Sequence, residues 1–308
     1  MAKRDFRGIT DISSDEVIEL FNLTTTLKHD LKEYNFKYSL KNRVAAMIFE
    51  KPSLRTRVTF ETGMFQLGGH AIYLAPADIG LGKRETVYDG AKNLERWVDL
   101  IVARTFSHKT VDDLAQYAEI PVINALSDLE HPCQAMADFF TLYEKRGTLE
   151  HLTFAYIGDG NNICNSLLLL SGLTGVNINV ANPSGYETPD EILDSSKRLA
   201  ASHGSRITFF DAPEDAVKDV EAIYTDVWAS MGQEDEKEER KKVFAPYQVN
   251  QELVSKAPEN VLIMHDLPAR RGEEITDEII DSPNSIVFDQ AENRLHIQKA
   301  IMIFLLSN

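Results

Sequence analysis

The sequence predicts an α/β fold in two domains, and three observations carry that prediction. Short, continuous apolar runs recur: Val44–Phe49, Leu100–Ala103, Phe154–Ile157, Val176–Val180 and Val261–Met264. Such runs, bounded by polar residues or glycine, are the pattern of parallel strands buried on both faces. Helix-like stretches separate them, which gives a βαβ repertoire with right-handed crossovers. The chain also has 308 residues, against roughly 150 for an average domain.

The elements follow in order. Residues 14–35 read as an amphipathic helix, with Ser14 as cap and Val17, Leu20, Phe21, Leu23 and Leu27 at helical spacing. The run 44–49 is a strand, and Pro52 and Ser53 turn it into a helix near 56–68. Further helices are expected near 88–97, 110–118, 131–146, 161–173 and 189–202. A domain boundary falls near Lys145-Arg-Gly-Thr148, after a long helix and before a strand that ends in Gly158-Asp-Gly160. The charge run 233–242 reads as a solvated loop or an exposed helix. A last helix, about 289–306, carries Ala291, Leu295, Ile301 and Leu305 and must pack on something.

Composition narrows the function. Lys and Arg total 32 against 48 Asp and Glu, a net charge of −16. So acidic a chain repels phosphate backbones, which argues against nucleic-acid binding. A local arginine cluster can still hold a small anion. No apolar run approaches the roughly 18–20 residues that span a bilayer. Met1-Ala-Lys-Arg-Asp-Phe6 has charge but no following apolar stretch, so it does not read as a signal peptide. Two cysteines, Cys133 and Cys164, make no disulfide framework, and a cytoplasmic location is expected. No C-x-x-C or H-x-x-x-H pattern suggests a metal.

The chemistry concentrates after the first strand. In Phe49-Glu-Lys-Pro-Ser-Leu-Arg-Thr-Arg57 a new helix presents its free N–H groups and positive dipole end. With Arg55, Arg57 and the hydroxyls of Ser53 and Thr56 this makes an anion cradle without a glycine loop. Arginines that merely pair with surface carboxylates are the other reading. Gly158-Asp-Gly-Asn-Asn162 enters a helix from a strand end. It lacks the third glycine of a dinucleotide fingerprint.

Ser53-Leu-Arg-Thr-Arg57 resembles the carbamoyl-phosphate signature of the aspartate and ornithine carbamoyltransferases. Val-Ala-Arg104-Thr-Phe106 and His131-Pro-Cys-Gln134 match the next motifs, and order is kept along the chain. The resemblance implies that Ser53, Leu54, Arg55, Thr56, Arg57 and Leu267 bind or support carbamoyl phosphate. It implies that Arg104, His131 and Gln134 contact its carbonyl or phosphate, and that Arg294 reaches back to it. Attack on the carbamoyl carbon builds charge on oxygen, and losing one fixed donor there typically costs about 10²–10³ in rate. Asn162, Asp226, Ser230 and Met231 resemble the ornithine branch, where such residues clamp the α-ammonium and α-carboxylate. The fold implied is two similar-sized domains, each a parallel sheet flanked by helices, linked by interdomain helices. They would cover 1–147 for carbamoyl phosphate and 148–288 for the amine, with 289–308 a helix packed back on the first. Active sites would lie between domains near the subunit interfaces of a homotrimer or a multiple of trimers.

Three departures matter. The ornithine branch usually reads His-Cys-Leu-Pro, and here the text is His265-Asp-Leu-Pro268. An ordinary Asp titrates near about 3.9 and Cys near about 8.5, so Asp266 sets a negative charge beside the attacking amine. The loop Asp78-Ile-Gly-Leu-Gly-Lys-Arg84 has Gly80 where that branch carries Gln or His, and Lys83 or Arg84 is expected to reach a neighbouring site instead. Asp89-Gly-Ala-Lys92 and Arg270 also differ from the usual pattern. Segments near 78–84 and 230–242 are expected to move over ligands.

The activity implied is carbamoyl transfer from carbamoyl phosphate to the side-chain amine of L-ornithine, giving L-citrulline and phosphate in arginine biosynthesis. No metal or organic cofactor, nucleic acid or membrane enters it. The catalytic candidates are Arg104, His131, Gln134, Asp266 and Arg294. Transfer to putrescine or lysine, and a non-catalytic binding homologue, are the alternatives that Asp266 keeps open. A carboxylate clamp at Ser230 and Met231 speaks against putrescine, which has no carboxylate.

Overall fold

The protein is described by a computed structural model, in which residues 3–82, 84–229 and 234–307 are described. It divides into two compact units, Met1–Phe140 with Glu292–Asn308, and Thr141–Ala291. The boundaries fall inside two helices, Pro132–Arg146 and Val287–Leu306, that run on from one unit into the next.

The first unit holds β1 (Val44–Phe49), β2 (His70–Leu74), β3 (Leu100–Arg104) and β4 (Val122–Leu126) in the order β2-β1-β3-β4. All pairings are parallel. Ala46, Ile48, Ile101 and Ala103 pack against Leu94, Val111 and Leu114 on one face. The central strands are therefore continuous apolar runs, as strands covered on both faces must be.

The second unit holds β5 (Thr153–Ile157), β6 (Asn177–Ala181), β7 (Ile207–Phe209), β8 (Ala222–Thr225) and β9 (Leu262–His265) in the order β7-β6-β5-β8-β9, again all parallel. Ala155, Ile157, Ile223 and Ile263 form a core with Val217, Leu253 and Ile279.

In each sheet the strand order reverses direction once, between β1 and β3 and between β5 and β8. Ligands of such sheets bind at the carboxyl ends of the strands beside that reversal. Register decides which residues emerge there. Phe49 stands opposite Arg104. Ile157, Thr225 and His265 form one row across β5, β8 and β9.

Several local expectations need correction. The first helix is Ser14–Lys32, and its cap is Ser13 rather than Ser14. The Ser13 side chain accepts the Glu16 N–H while Glu16 accepts the Ser13 N–H, the reciprocal box that fixes a helix start. Strands β2, β4, β7 and β8 escaped the reading of apolar runs. β2 is half exposed, β4 is interrupted by Asn124, and β7 and β8 are three and four residues long. The charge run is not wholly solvated. Arg240, on the helix Lys237–Phe244, is buried and paired with Asp159 at 3.0 Å. Its guanidinium also lies 4.8 Å from the Tyr186 ring centroid, so a carboxylate and an aromatic face replace the lost water.

Candidate active site

The first unit gathers cations at the reversal point. β1 delivers Ser53, whose hydroxyl accepts the Thr56 N–H at 3.3 Å and caps the helix Leu54–Gln66. The remaining first-turn N–H groups of such a helix have no intrahelical acceptor. Leu54 is 74% exposed, so only its backbone can serve a ligand. Arg104 ends β3 and is buried. Arg294, on the C-terminal helix, donates to Thr56 Oγ1 at 2.8 Å.

His131 shows how these cations converge. It is buried just before Pro132, the first residue of its helix. Burial disfavours the imidazolium, and Arg294, Arg104, Arg55 and Lys51 then repel it, so its pKa lies well below the usual histidine value. Arg55, Arg104 and Arg294 are thus all near enough to His131 to oppose its charge. At neutral pH the ring is an uncharged imidazole. Lys51 sits 4.8 Å from the Phe106 ring centroid.

Gln134 is buried, and its Nε2 donates to Asp138 Oδ1 at 2.8 Å. That bond fixes which way the amide faces. Its carbonyl Oε1 accepts no hydrogen bond among the described residues, and it suits an N–H of a ligand rather than an oxyanion. Arg57 is not drawn into this cluster. It is exposed, pairs with Glu61 at 3.0 Å and lies 3.7 Å over the Tyr73 ring.

The second unit gathers carboxylates. After β5 the chain turns through Gly158–Asn162. A Cβ at Gly160 would fall 2.4 Å from the backbone of Glu187 and Thr188, so only glycine fits this close approach. Asn161, not Asn162, caps the helix Asn162–Thr174: its Oδ1 accepts the N–H groups of Ile163 and Cys164 at 3.0 and 3.1 Å. Its Nδ2 donates to Asp226 Oδ2 at 2.7 Å. Asp226 and Asp266 are the first residues beyond β8 and β9. Side-chain atoms of Asp226, His265 and Asp266 lie within 4.8 Å of one another.

Electrostatics separate these groups. Burial pushes the Asp226 carboxyl well above the usual carboxylate range, and the charge of Asp266 and a hydrogen bond to it push the same way. His265 is fully buried between Asp266 at 3.2 Å from Nδ1 and Glu274 at 3.0 Å from Nε2. Burial pulls its pKa down, but hydrogen bonds to Asp266 and Glu274 and the nearby negative charges carry it up to about 10. The spacing of Asp226, His265 and Asp266 would suit a metal ion, but Nδ1 of His265 accepts the Leu267 N–H at 2.9 Å and Nε2 lies 3.0 Å from Glu274 Oε1. Leu267 follows with φ 60°, a left-handed conformation rare for a branched side chain.

Lys83, Ser230 and Met231, expected at the site, lie outside the described residues, as does Gln233 of the charge run. Lys51, Asn161, His265 and Glu274 were not singled out as site residues from the sequence. Lys51, Asn161 and His265 stand inside the motifs of residues 49–57, 158–162 and 265–268. Nothing local announces that Glu274 meets His265.

Comparison with known proteins identifies the family of both halves of the chain. Residues 4–144 match the family model for the aspartate/ornithine carbamoyltransferase carbamoyl-P binding domain, and residues 150–305 match that for the Asp/Orn binding domain. The chain is 50% identical over 304 residues to an ornithine carbamoyltransferase of Methanosarcina acetivorans, covering 99% of each. It is 48% identical over 306 residues to an anabolic ornithine carbamoyltransferase of Pyrococcus furiosus, covering 99% of this chain and 97% of the relative. A solved ornithine carbamoyltransferase structure from P. furiosus superimposes with a TM-score of 0.97 at 48% identity, covering 100% of this chain and 98% of the other.

Proposed function

We infer the reaction from one premise: the chain belongs to the aspartate/ornithine carbamoyltransferase family. It transfers the carbamoyl group of carbamoyl phosphate to the side-chain amine of L-ornithine, giving L-citrulline and phosphate. The observation that carries the choice of acceptor is the sign of the second cluster. Asp226, Asp266 and Glu274 gather around His265, so the cluster is lined by carboxylate oxygens and carries no Lys or Arg among its named members. Such a site attracts an ammonium and repels the second carboxylate of aspartate.

The roles follow from donor chemistry. Arg55, Arg104 and Arg294 hold the phosphate with Ser53, Thr56 and the backbone of Leu54, while Arg57 and Leu267 support the site from outside the cation cluster. Neutral His131 donates to the carbamoyl oxygen, where charge builds during attack. Gln134 Oε1 accepts from the carbamoyl NH₂. Asn162, Asp226, Ser230 and Met231 clamp the α-ammonium and α-carboxylate, and Asp266 faces the side-chain amine. Fixing both reactants in line removes entropy before the chemical step. The scheme uses no metal or organic cofactor.

The reading extends to a cytoplasmic homotrimer in arginine biosynthesis, with Lys83 serving a neighbouring subunit's site. Leu54, Val58 and Phe65 support the oligomer. They are exposed and lie on one face of the helix Leu54–Gln66, an apolar stripe that another copy would cover. The P. furiosus relative named anabolic supports the biosynthetic direction.

The test is product formation from carbamoyl phosphate with L-ornithine, L-lysine, putrescine and L-aspartate offered separately. Citrulline from ornithine should dominate. A faster product from any other amine overturns the acceptor, and no product from any of them overturns catalysis.

A further inference from the structure

We propose that Glu130 is a positioning residue for this reaction: its buried carboxylate, seated against Gly8, fastens the N-terminal segment to the peptide that carries His131. The inference rests on the reading above, in which His131 donates to the carbamoyl oxygen, and adds what holds that donor in place.

The N-terminal segment lies along one edge of the first sheet. β4 ends that sheet, and an open strand edge leaves backbone groups unpaired. Phe6 pairs in parallel with Ile123 of β4. Its N–H donates to Val122 O and its carbonyl accepts the Asn124 N–H, each at 2.8 Å. The Val122 N–H donates to Asp5 Oδ1 at 2.8 Å. Phe6 and Ile9 are buried, so the segment is part of the core rather than a loose end.

The same segment grips the turn 127–131, which enters the helix Pro132–Arg146. The turn closes on itself: the Ser127 N–H donates to Glu130 O at 3.0 Å, and the Glu130 N–H donates to Ser127 Oγ at 3.2 Å. Asn124, fully buried, donates through Nδ2 to Arg7 O at 2.8 Å and to Ser127 Oγ at 3.3 Å. His108 Nδ1 lies 2.8 Å from Ser127 Oγ, and the His108 N–H donates to Asp128 Oδ1 at 2.7 Å.

Glu130 adds the contact next to His131 itself. It is buried, and its Oε2 accepts the Ile9 N–H at 3.1 Å. A Cβ at Gly8 would run into Glu130 Oε1. Gly8 has φ −155°, an extended backbone open to any residue, so the space that Glu130 fills is what calls for glycine. The two positions therefore form one fitted pair, although 121 residues separate Ile9 from Glu130. His131 follows directly and starts its helix, its carbonyl accepting the Gln134 and Ala135 N–H groups at 3.1 and 3.2 Å. A side chain fixed at residue 130 thus sets where the imidazole stands. Misplacing a catalytic group by about 1 Å can cost about 100-fold in rate. The His131 bond strengthens as charge builds on oxygen, so its displacement lowers kcat and leaves KM near its value.

The test is steady-state kinetics and thermal melting of the full chain with carbamoyl phosphate and L-ornithine. Glu130→Ala should lower kcat roughly 10- to 100-fold, with both KM values held within about twofold. Glu130→Gln, whose amide oxygen can still accept the Ile9 N–H, should recover kcat to within about threefold of the unaltered protein. Gly8→Ala, which pushes the carboxylate off Ile9, should lower kcat in the same sense, and the double variant should be no slower than Glu130→Ala alone. A lowered melting temperature with unchanged kcat in Glu130→Ala leaves a packing residue only and overturns the proposal. So does a loss in Glu130→Gln as deep as in Glu130→Ala, or additive losses in the double variant. Gly8→Ala meets the flexible end of one side chain, so it decides the matter if Glu130→Ala does not fold: an unchanged kcat there overturns the proposal. Absence of citrulline from the unaltered protein would instead sink the ornithine reading, so the two failures are distinguishable.

Discussion

Arg294 donates a 2.8 Å hydrogen bond to the Thr56 hydroxyl across 238 positions of sequence. The bond fixes a guanidinium of the C-terminal helix at the mouth of the anion cradle. Thr56 is fully buried, so replacing its hydroxyl by a methyl keeps the shape and strands a buried donor. Thr56→Val should cost about 1–3 kcal/mol. In kcat/KM for carbamoyl phosphate that is roughly 5- to 150-fold. Steady-state kinetics with ornithine saturating check it, and an unchanged value would show that Arg294 needs no such fixing.

His131 supplies a second prediction. Its pKa lies well below the usual value because burial and four cations oppose its charge. The pH profile of kcat/KM for carbamoyl phosphate should then show no histidine ionisation between about pH 6 and 8. His131→Phe should lower kcat by about 10²–10³ through loss of one oxyanion donor. An acid limb near about 6.5 that disappears in the variant would contradict the neutral ring.

His265 predicts an alkaline weakness. Its pKa is raised to about 10 in the fold, against an ordinary value near about 6.5. The charge therefore stabilises the fold fully below about 6.5, and that contribution is lost as pH rises through about 10. Denaturant midpoints should fall between about pH 6.5 and 10 and level off above that. Glu274→Gln removes the partner of a buried cation and should cost about 3–5 kcal/mol at neutral pH. It should also flatten the alkaline decline, and an equally steep decline would assign the effect to other groups.

Gly160 predicts a purely steric loss. A methyl there meets backbone at 2.4 Å, and backbone cannot swing aside as a side chain does. Gly160→Ala should destabilise by about 1–3 kcal/mol. It should raise KM for ornithine more than for carbamoyl phosphate, because the displaced turn carries Asn161 and Asn162. Thermal melts and a two-substrate KM comparison read both effects.

Much of this was legible locally. A buried parallel strand must be apolar along its whole length, so β1, β3, β5, β6 and β9 announced themselves within a residue or so. Ser53 could be read as a cap because capping is settled within one turn. Gly160 belonged to a recognisable turn, although the backbone at Glu187 and Thr188 that makes glycine necessary did not.

The sequence by itself determined the alternation of strands and helices, the cationic text of residues 53–57 and the substitution of Asp at position 266. Each is a property of adjacent residues, governed by periodicity and charge. The tertiary structure alone decided who meets whom. It turned Arg57 outward onto Tyr73, buried Arg240 against Asp159, and chose Asn161 over Asn162 as the cap bonded to Asp226. It also set Asp266 against Asp226, because strand register, which no local pattern encodes, aligned the ends of β8 and β9.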